Sequence, residues 1–467
     1  MRWQHGHRGR VCASARAIVE LTVAIELVTW RSGLIGGSSG SVTAGLADQL
    51  WRASIASLGQ LLDSLWQKRG GRVVAVGGWS GSLLRWEREL TELKDRLAPV
   101  FVRSEVRRSA GAFIDGVLSG IARKTGWQLA EQAGLGRPYR MQSLLGRSCW
   151  DADALRDLVR DEVIARLGDR SGVLVVDETG FLKKGRHSVG VARQYSGTAG
   201  RVENCQVGVF LGYASRLGQA LIDRRLYLPE AWASDDARRS RVQIPASVTF
   251  ATKPQIACAL IGAALDAGVP CGWVLADALY GSDSRLRRML EARRQPYVLA
   301  VRSNHHLRFL TEAGLLQTNP AELADEVPAE AWSTHAAGEG TKGIRLYDWA
   351  RIALPWIADT GFERWVLIRR SRQDPEAYAY YLVFAPAGSE LAELAGVAGL
   401  RWTIEECFQR AKEELGLDHC EARSWHGWHR HMTLCMAAAA FLARLAAQLR
   451  QGAGSKANER SPVALAA

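Results

Sequence analysis

What the chain lacks is cysteine chemistry. Its eight cysteines stand at 12, 149, 205, 258, 271, 407, 420 and 435, and no two form a C-x-x-C pair. That spacing argues against zinc ribbons, thioredoxin-like redox chemistry and a disulfide framework. The cysteines read instead as small apolar residues in a reducing compartment. Long apolar runs are also missing. No stretch approaches the roughly 18 uninterrupted apolar residues of a membrane span, so no membrane partner is expected. The opening MRWQHGHRGRVCASARAIVELTVAIEL has the basic lead of a secretory signal, but Glu20 and Glu26 interrupt the segment that such a signal keeps uncharged. A cytoplasmic location is the expectation.

Lysine is scarce too: only nine of the sixty basic residues are Lys. An arginine bias of that kind is also what a GC-rich genome produces. The balance against 48 acidic residues is a net charge of +12, which favours a polyanionic partner by long-range attraction. With 47% apolar and 23% charged residues the composition is that of a folded chain and excludes global disorder. At 467 residues, about two to four domains are expected.

Residues 1–79 carry no sustained period, being broken by GLIGGSSGSV and KRGGRVVAVGGWSGS. Three readings fit this extension: a mis-called start, a poorly ordered extension, or a small helical subdomain around Leu46–Leu65, where Leu50, Ile55, Leu58 and Leu62 recur at helical spacing. Residues 80–168 read as a helical, DNA-binding region. Its segments are LLRWERELTELKDRLAPVF, RRSAGAFIDGVLSGIARK, WQLAEQAGL, YRMQSLLGR and DADALRDLVRDEVIARLG, the last opening on acids that suit a helix N-terminus. Ordinary solvated arginine faces are the competing reading.

At residue 169 the pattern changes. Val173–Val176 is a short apolar run suited to a buried strand. CQVGVFLGYAS and QALIDRRLYLP follow as strands, TKPQIACALIGAALDAG as a helix opening after Thr252, then a strand at 272–276, the helix SDSRLRRMLEARR and the strand YVLAVR. This βββαβαβ order over 169–302 fits an α/β fold with a mixed sheet flanked by helices. Residues 303–387 lose helical period and read as a β-rich insertion with a hairpin of RWVLIRR and YAYYLVFAP. Helices resume over 388–447, and 448–467 read as a disordered tail.

Three acids stand out. Asp177 directly follows the strand 173–176 and Asp277 directly follows 272–276, and ligand sites of open α/β sheets lie at such carboxyl ends. The third is on the helix starting near Arg401. Glu405 is offset from Arg401 by about 40° and Lys412 from Glu405 by about 20°, so the three share one stripe. If a carboxylate here works between two cations, it is Glu405; a salt-bridged surface helix is the plainer alternative. Three such carboxylates have the chemistry of a site for two divalent metal ions, Mg²⁺ or Mn²⁺, about 3.5–4 Å apart, with Arg401 and Lys412 on flanking phosphates.

These segments resemble the DDE-superfamily transposases of bacterial insertion sequences. The blocks carrying the resemblance are DETGFLKKGRHSVGVARQYSGTAGRVENCQVGVF at 177–210, LADALYGSDSRLR at 275–287 and RWTIEECFQRAKEELGLDHCEARSWHGWHRHMTL at 401–434, within residues 83–447. The resemblance implies an RNase H-like core interrupted by a β-rich insertion. It implies Asp177, Asp277 and Glu405 as catalytic metal ligands, Glu405 also being a candidate base. Of the Y-x2-R-x3-E-x6-K signature, Arg401, Glu405 and Lys412 match, while Ala398 stands at the Tyr position. Tyr280 falls at the aromatic position of the second motif. With Arg401 and Lys412, the DNA contacts expected are Tyr280 and Lys183, Lys184 and Arg186 of the turn after the first Asp; an exposed turn is the alternative for those three.

The implied activity is cutting of phosphodiester bonds at transposon ends and their joining to target DNA. The partners are double-stranded DNA, both terminal inverted repeats and target, and a second copy in a homodimer on DNA; the location is then nucleoid-associated. An inactive relative kept as a DNA-binding regulator is the alternative, and a glycosidase-like hydrolase is disfavoured by the cations around Glu405. Among weaker features, Asn204 and Gln206 either support the site or pair in the sheet. Trp332, Trp349, Trp356 and Trp365 of the insertion are expected to be mostly core, one of them a candidate base-stacking residue. HGWHRH at 426–431 is expected to be a helix start with His and Arg facing DNA.

Overall fold

The computed structural model describes residues 79–311, 314–340, 343–354, 361–374 and 376–459; residues 1–78 and the readings made of them lie outside that set. The chain divides into two compact units, residues 1–96 with 118–122, and residues 97–117 with 123–467. In the first, helix α1 (Trp79–Leu97) follows the amphipathic segment read from sequence, with Lys94 and Arg96 in its last turn and an Arg85–Glu89 ion pair one turn apart at 3.1 Å.

The second unit opens with helices α2 (Ser104–Leu118), α3 (Gly126–Gln132), α4 (Tyr139–Gly146) and α5 (Ala152–Leu167). The acid expected to start α5 does so: Asp151 accepts from the Asp153 backbone N–H at 2.7 Å. Strand β1 (Val173–Leu182) begins with the buried run Val173–Val176 and continues past Asp177. After β2 (Ala192–Ser196), the long β3 (Arg201–Ser215) pairs antiparallel with β1 and with β4 (Gly218–Leu226). Two short helices, α6 (Glu230–Ala233) and α7 (Asp236–Arg241), precede α8 (Lys253–Asp266), which Thr252 starts with a full capping box.

Strand β5 (Trp273–Ala276) lies parallel to β1, with Val176 opposite Ala276. It is followed by the single turn α9 (Ala278–Gly281), by α10 (Ser284–Ala292) and by β6 (Tyr297–Val301), parallel to β5. The sheet therefore runs β4-β3-β1-β5-β6, three antiparallel strands and then two more parallel to β1, which is the RNase H-like arrangement expected.

The β-rich region departs from expectation in where it goes. A small hairpin, β7 (Leu307–Thr311) and β8 (Gly314–Thr318), forms its own two-stranded sheet, and α11 (Pro320–Asp325) follows. Strands β9 (Ser333–Gly340), β10 (Gly343–Ala353), β11 (Phe362–Ser371) and β12 (Tyr378–Pro386) then continue the core sheet, because β12 pairs antiparallel with β6. A parallel strand left at an edge would expose a row of unpaired backbone groups, and β12 covers that row on β6. Trp349 and Trp365 are core: Trp349 stacks on Tyr381, and Arg351 lies over the Trp365 ring at 5.0 Å. Trp332 is half-buried under Arg370, and Trp356 lies outside the described residues.

Helix α12 (Leu391–Gly399) ends against β9. A Cβ at Gly399 would meet the Ala337 carbonyl oxygen at 2.0 Å, so only glycine permits the chain to turn there toward Arg401. Helix α13 (Thr403–Glu413) and helix α14 (Trp425–Glu459) close the unit, with Phe408 and Trp428 packed on Phe210 of β3. The helix runs on to Glu459, past the point where a tail was expected to begin. All seven cysteines of the described residues are free, and no helix among them is long and apolar enough to cross a membrane.

The HGWHRH segment does not face outward. His429, Arg430 and His431 are buried and only His426 is exposed. Arg430 donates to the Trp150 carbonyl at 2.7 Å, and the His431 Nε2 lies 3.1 Å from the Gly416 carbonyl. Small residues at 437–440 let α14 sit deep in the unit, which takes the turn before them inside as well. Burial holds the His431 imidazole neutral, pushing its pKa down to about 4. The native state thus resists a proton that the unfolded chain accepts below its ordinary value of 6.5, and stability falls as pH drops from that value toward 4. Between pH 7 and pH 5 the loss from this residue is about 2 kcal/mol. Urea unfolding at the two pH values is expected to show it, and His431→Gln to show a correspondingly smaller drop.

Candidate active site at the ends of two parallel strands

Parallel pairing of β1 with β5 sets Val176 beside Ala276, so the next residue of each strand, Asp177 and Asp277, comes out at the same edge. Asp277 also starts α9, its carboxylate accepting from the backbone N–H groups of Leu279 (2.9 Å) and Tyr280 (3.4 Å). Gly281 makes this turn fit, since a Cβ there would lie 2.0 Å from the Ala300 carbonyl oxygen of β6. The Asp177 Oδ1 accepts from the Glu178 N–H at 2.7 Å.

Electrostatically the two acids oppose each other. Burial, followed by the charges of Asp277 and Glu178, pushes the Asp177 carboxyl up to about 8. Burial and then Glu178 raise Asp277 as well, and Arg401 acts against both shifts. This is a pair of hard oxygen donors held close together, drier than a surface acid and short of positive charge.

Arg401 and Glu405 stand as the helical stripe required. The Arg401 guanidinium donates to Glu405 Oε1 at 3.0 Å, across one turn, with α13 packed on β1 and the turn at Leu400–Trp402 packed on β5. Lys412, further along the stripe, reaches the sheet, donating to Thr179 Oγ1 at 2.7 Å and Thr198 Oγ1 at 2.9 Å, and burial lowers its pKa. Glu405 is thus engaged with a cation rather than gathered with the two aspartates. Among the described residues no group of three or more His, Cys, Asp or Glu side chains is arranged to hold a metal ion. The donor set fits a divalent cation at two carboxylates, with the third held aside by Arg401.

One residue expected on DNA is placed otherwise. Tyr280 is fully buried, and its hydroxyl donates to Glu178, so it lies beneath the acids rather than on a surface. Lys183 donates to the Cys420 carbonyl at 2.6 Å. Lys184 and Arg186 are exposed in the turn after β1. Asn204 and Gln206 fasten that turn, Asn204 through the Lys183 and Gly185 carbonyls and Gln206 through the Val189 carbonyl.

Sequence reasoning missed Glu178 and Lys253. The Glu178 carboxylate sits between the Tyr280 hydroxyl and the Lys253 ammonium, the latter at 2.8 Å. The acid doublet at 177–178 was a visible signal for the first; nothing local linked Lys253, 75 residues on, to it.

Because the folded chain favours the protonated form of Asp177, it holds a proton that the unfolded chain releases above about pH 4. Stability in chelator is therefore lost as pH rises from there toward 8. Asp177→Asn keeps the shape without the charge and is expected to stabilise the protein by about 1–2 kcal/mol at pH 8, a rise of a few degrees in Tm. Thermal melts in EDTA check this, and a lower Tm would contradict the repulsion.

Comparison with known proteins gives the family. A family model described as DDE superfamily endonuclease matches residues 96–350, and one described as transposase DDE domain matches residues 260–442. A probable transposase for insertion sequence element IS701 from Microchaete diplosiphon is 34% identical over 201 residues, 42% of this chain and 49% of that protein, so the match spans about half the length of that relative. A cryo-EM structure of a piggyBac transposase synaptic complex with hairpin DNA aligns over 76% of this chain and 68% of its own, at 10% identity and a TM-score of 0.39, too distant to carry weight. The first family model covers more than half of the sequence, and the chain belongs to the DDE superfamily of endonucleases.

Proposed function

We propose that the protein is a DNA transposase, cutting phosphodiester bonds at the ends of its element and joining them to target DNA. The observation that carries this reading is the pair Asp177 and Asp277, adjacent on parallel strand ends, desolvated and mutually repelling, with Arg401, itself paired with Glu405, acting on both. Two carboxylates in that state suit divalent ions, Mg²⁺ or Mn²⁺, more than proton transfer between neutral sugars. When bound, such ions would supply the positive charge that steadies the attacking and leaving oxygens of an in-line displacement.

The chain's own residues have three tasks. Asp177 and Asp277 would hold the ions, and Glu405, now paired with Arg401, would be available as a further ligand if a DNA phosphate took its place on the guanidinium. Arg401 exchanges one anion for another, so the guanidinium never loses a partner. Lys253 offsets Glu178, and Tyr280 fixes it, which keeps a third negative charge from adding fully to the aspartate pair. Two copies of the chain, one on each element end, complete the reading. Synapsis of two ends by a homodimer follows the symmetry common to such assemblies.

The test is incubation of the full chain with labelled duplex carrying an end of the element, in Mg²⁺ or in EDTA. Nicking in Mg²⁺ alone is expected, with Asp277→Ala reducing the rate by about a hundred- to a thousandfold or more, the scale set by removing one charge-stabilising group. Binding without nicking would favour the inactive regulator. Absence of both would overturn the assignment.

A further inference from the structure

Thr198, one of the two hydroxyls that hold Lys412, belongs to the turn joining β2 to β3. That hairpin lies tight against the site strand: a Cβ at Gly180 would sit 2.4 Å from Ser196 Oγ. Its two faces differ sharply. On one, Ser196 is buried and Gln194 donates to the Gly190 and Cys205 carbonyls. The other carries Arg193 and Tyr195, with Val202 directly across from Tyr195 and Asn204 across from Arg193. Tyr195 is 60% exposed and Val202 50%, an aromatic and a branched residue paired in water on the face turned away from β1.

The surroundings are basic. Asn204 ties the outward face to the turn bearing Lys184 and Arg186. Among the described residues Lys184, Arg186 and Arg193 have no ion-pair partner, whereas Arg201, next to the hairpin's turn, is paired with Glu203 at 2.8 Å. An exposed ring set among unpaired cations, with no acid facing it on the hairpin, fits a polyanion that also presents flat apolar surfaces, which is a nucleic acid strand. Glu405 and Lys412 are seven residues apart on α13, about 10 Å, or roughly three base steps of a strand. The hairpin's turn reaches Lys412 through the Thr198 hydroxyl.

We propose that the outward face of the β2–β3 hairpin is a DNA-strand platform, on which Tyr195 stacks an unpaired base a few nucleotides from the phosphate at the aspartate pair, with Val202 beside it and Arg193, Lys184 and Arg186 on the backbone. The proposal rests on the DNA-processing reading above and extends it to a surface outside the acid motif. Stacking gives affinity without choosing a sequence, since every base has a flat face, so the platform would recognise an opened strand rather than a base order.

The experiment uses the full chain and a forked duplex whose single-stranded arm carries 2-aminopurine, in EDTA so that the DNA stays intact. The wild type is expected to bind and to quench the base fluorescence. Tyr195→Ala is expected to weaken binding about tenfold and abolish quenching, the scale of one lost stacked base. Tyr195→Phe, which keeps the ring, should restore both. Arg193→Ala should weaken binding and lower the salt slope by about one. Tyr195 is exposed, so an unchanged melt of Tyr195→Ala separates lost stacking from lost folding. If the wild type binds and Tyr195→Ala binds and quenches equally well, the platform is wrong while the DNA reading stands. If the wild type binds no DNA, both fall.

Discussion

Two carboxylates forced together by a parallel strand pair are the constraint on which the rest of the site depends. The register Val176 to Ala276 leaves Asp177 and Asp277 no choice of edge. Each is made less comfortable by burial and by Glu178. Around them the chain supplies partial relief: Lys253 and Tyr280 on Glu178, helix-start N–H groups on Asp277, Arg401 at a distance. None of these removes the repulsion, and such perturbed acids are what a cation-binding site would use.

The same economy governs the cations. Arg401 is held by Glu405, and Lys412 by two threonine hydroxyls. Both are positioned by weak, exchangeable partners rather than buried ion pairs, so a phosphate can compete for them. The deeply fixed arginine of this unit is elsewhere. Arg224, buried between Asp153, Thr433 and the Ala152 carbonyl, links β4 to α5 and α14 and is structural.

Much of this was legible in the sequence because it is local. The apolar run before Asp177, the capping Thr252, the hairpin of RWVLIRR with YAYYLVFAP and the stripe through Arg401 and Glu405 each depend on residues a few positions apart. What escaped depends on pairing across long intervals. That β12 continues the core sheet through β6 follows from an edge needing a partner, which no local pattern announces. The burial of His429 and His431 follows from the small residues after them, which let α14 sink inward. Tyr280 turns inside because a four-residue helix with Gly281 lies flush on β6, and the link of Lys253 to Glu178 joins two elements unrelated in period.

The central claim is that the aspartate pair is a cation site. Its most direct measurement is an electron paramagnetic resonance titration of Mn²⁺ into the full chain, with Asp177→Asn and Asp277→Asn alongside. Saturable binding by the wild type, weakened at least about tenfold by either substitution, is the predicted result. Mn²⁺ bound equally by the wild type and both variants, or not bound at all, would contradict it.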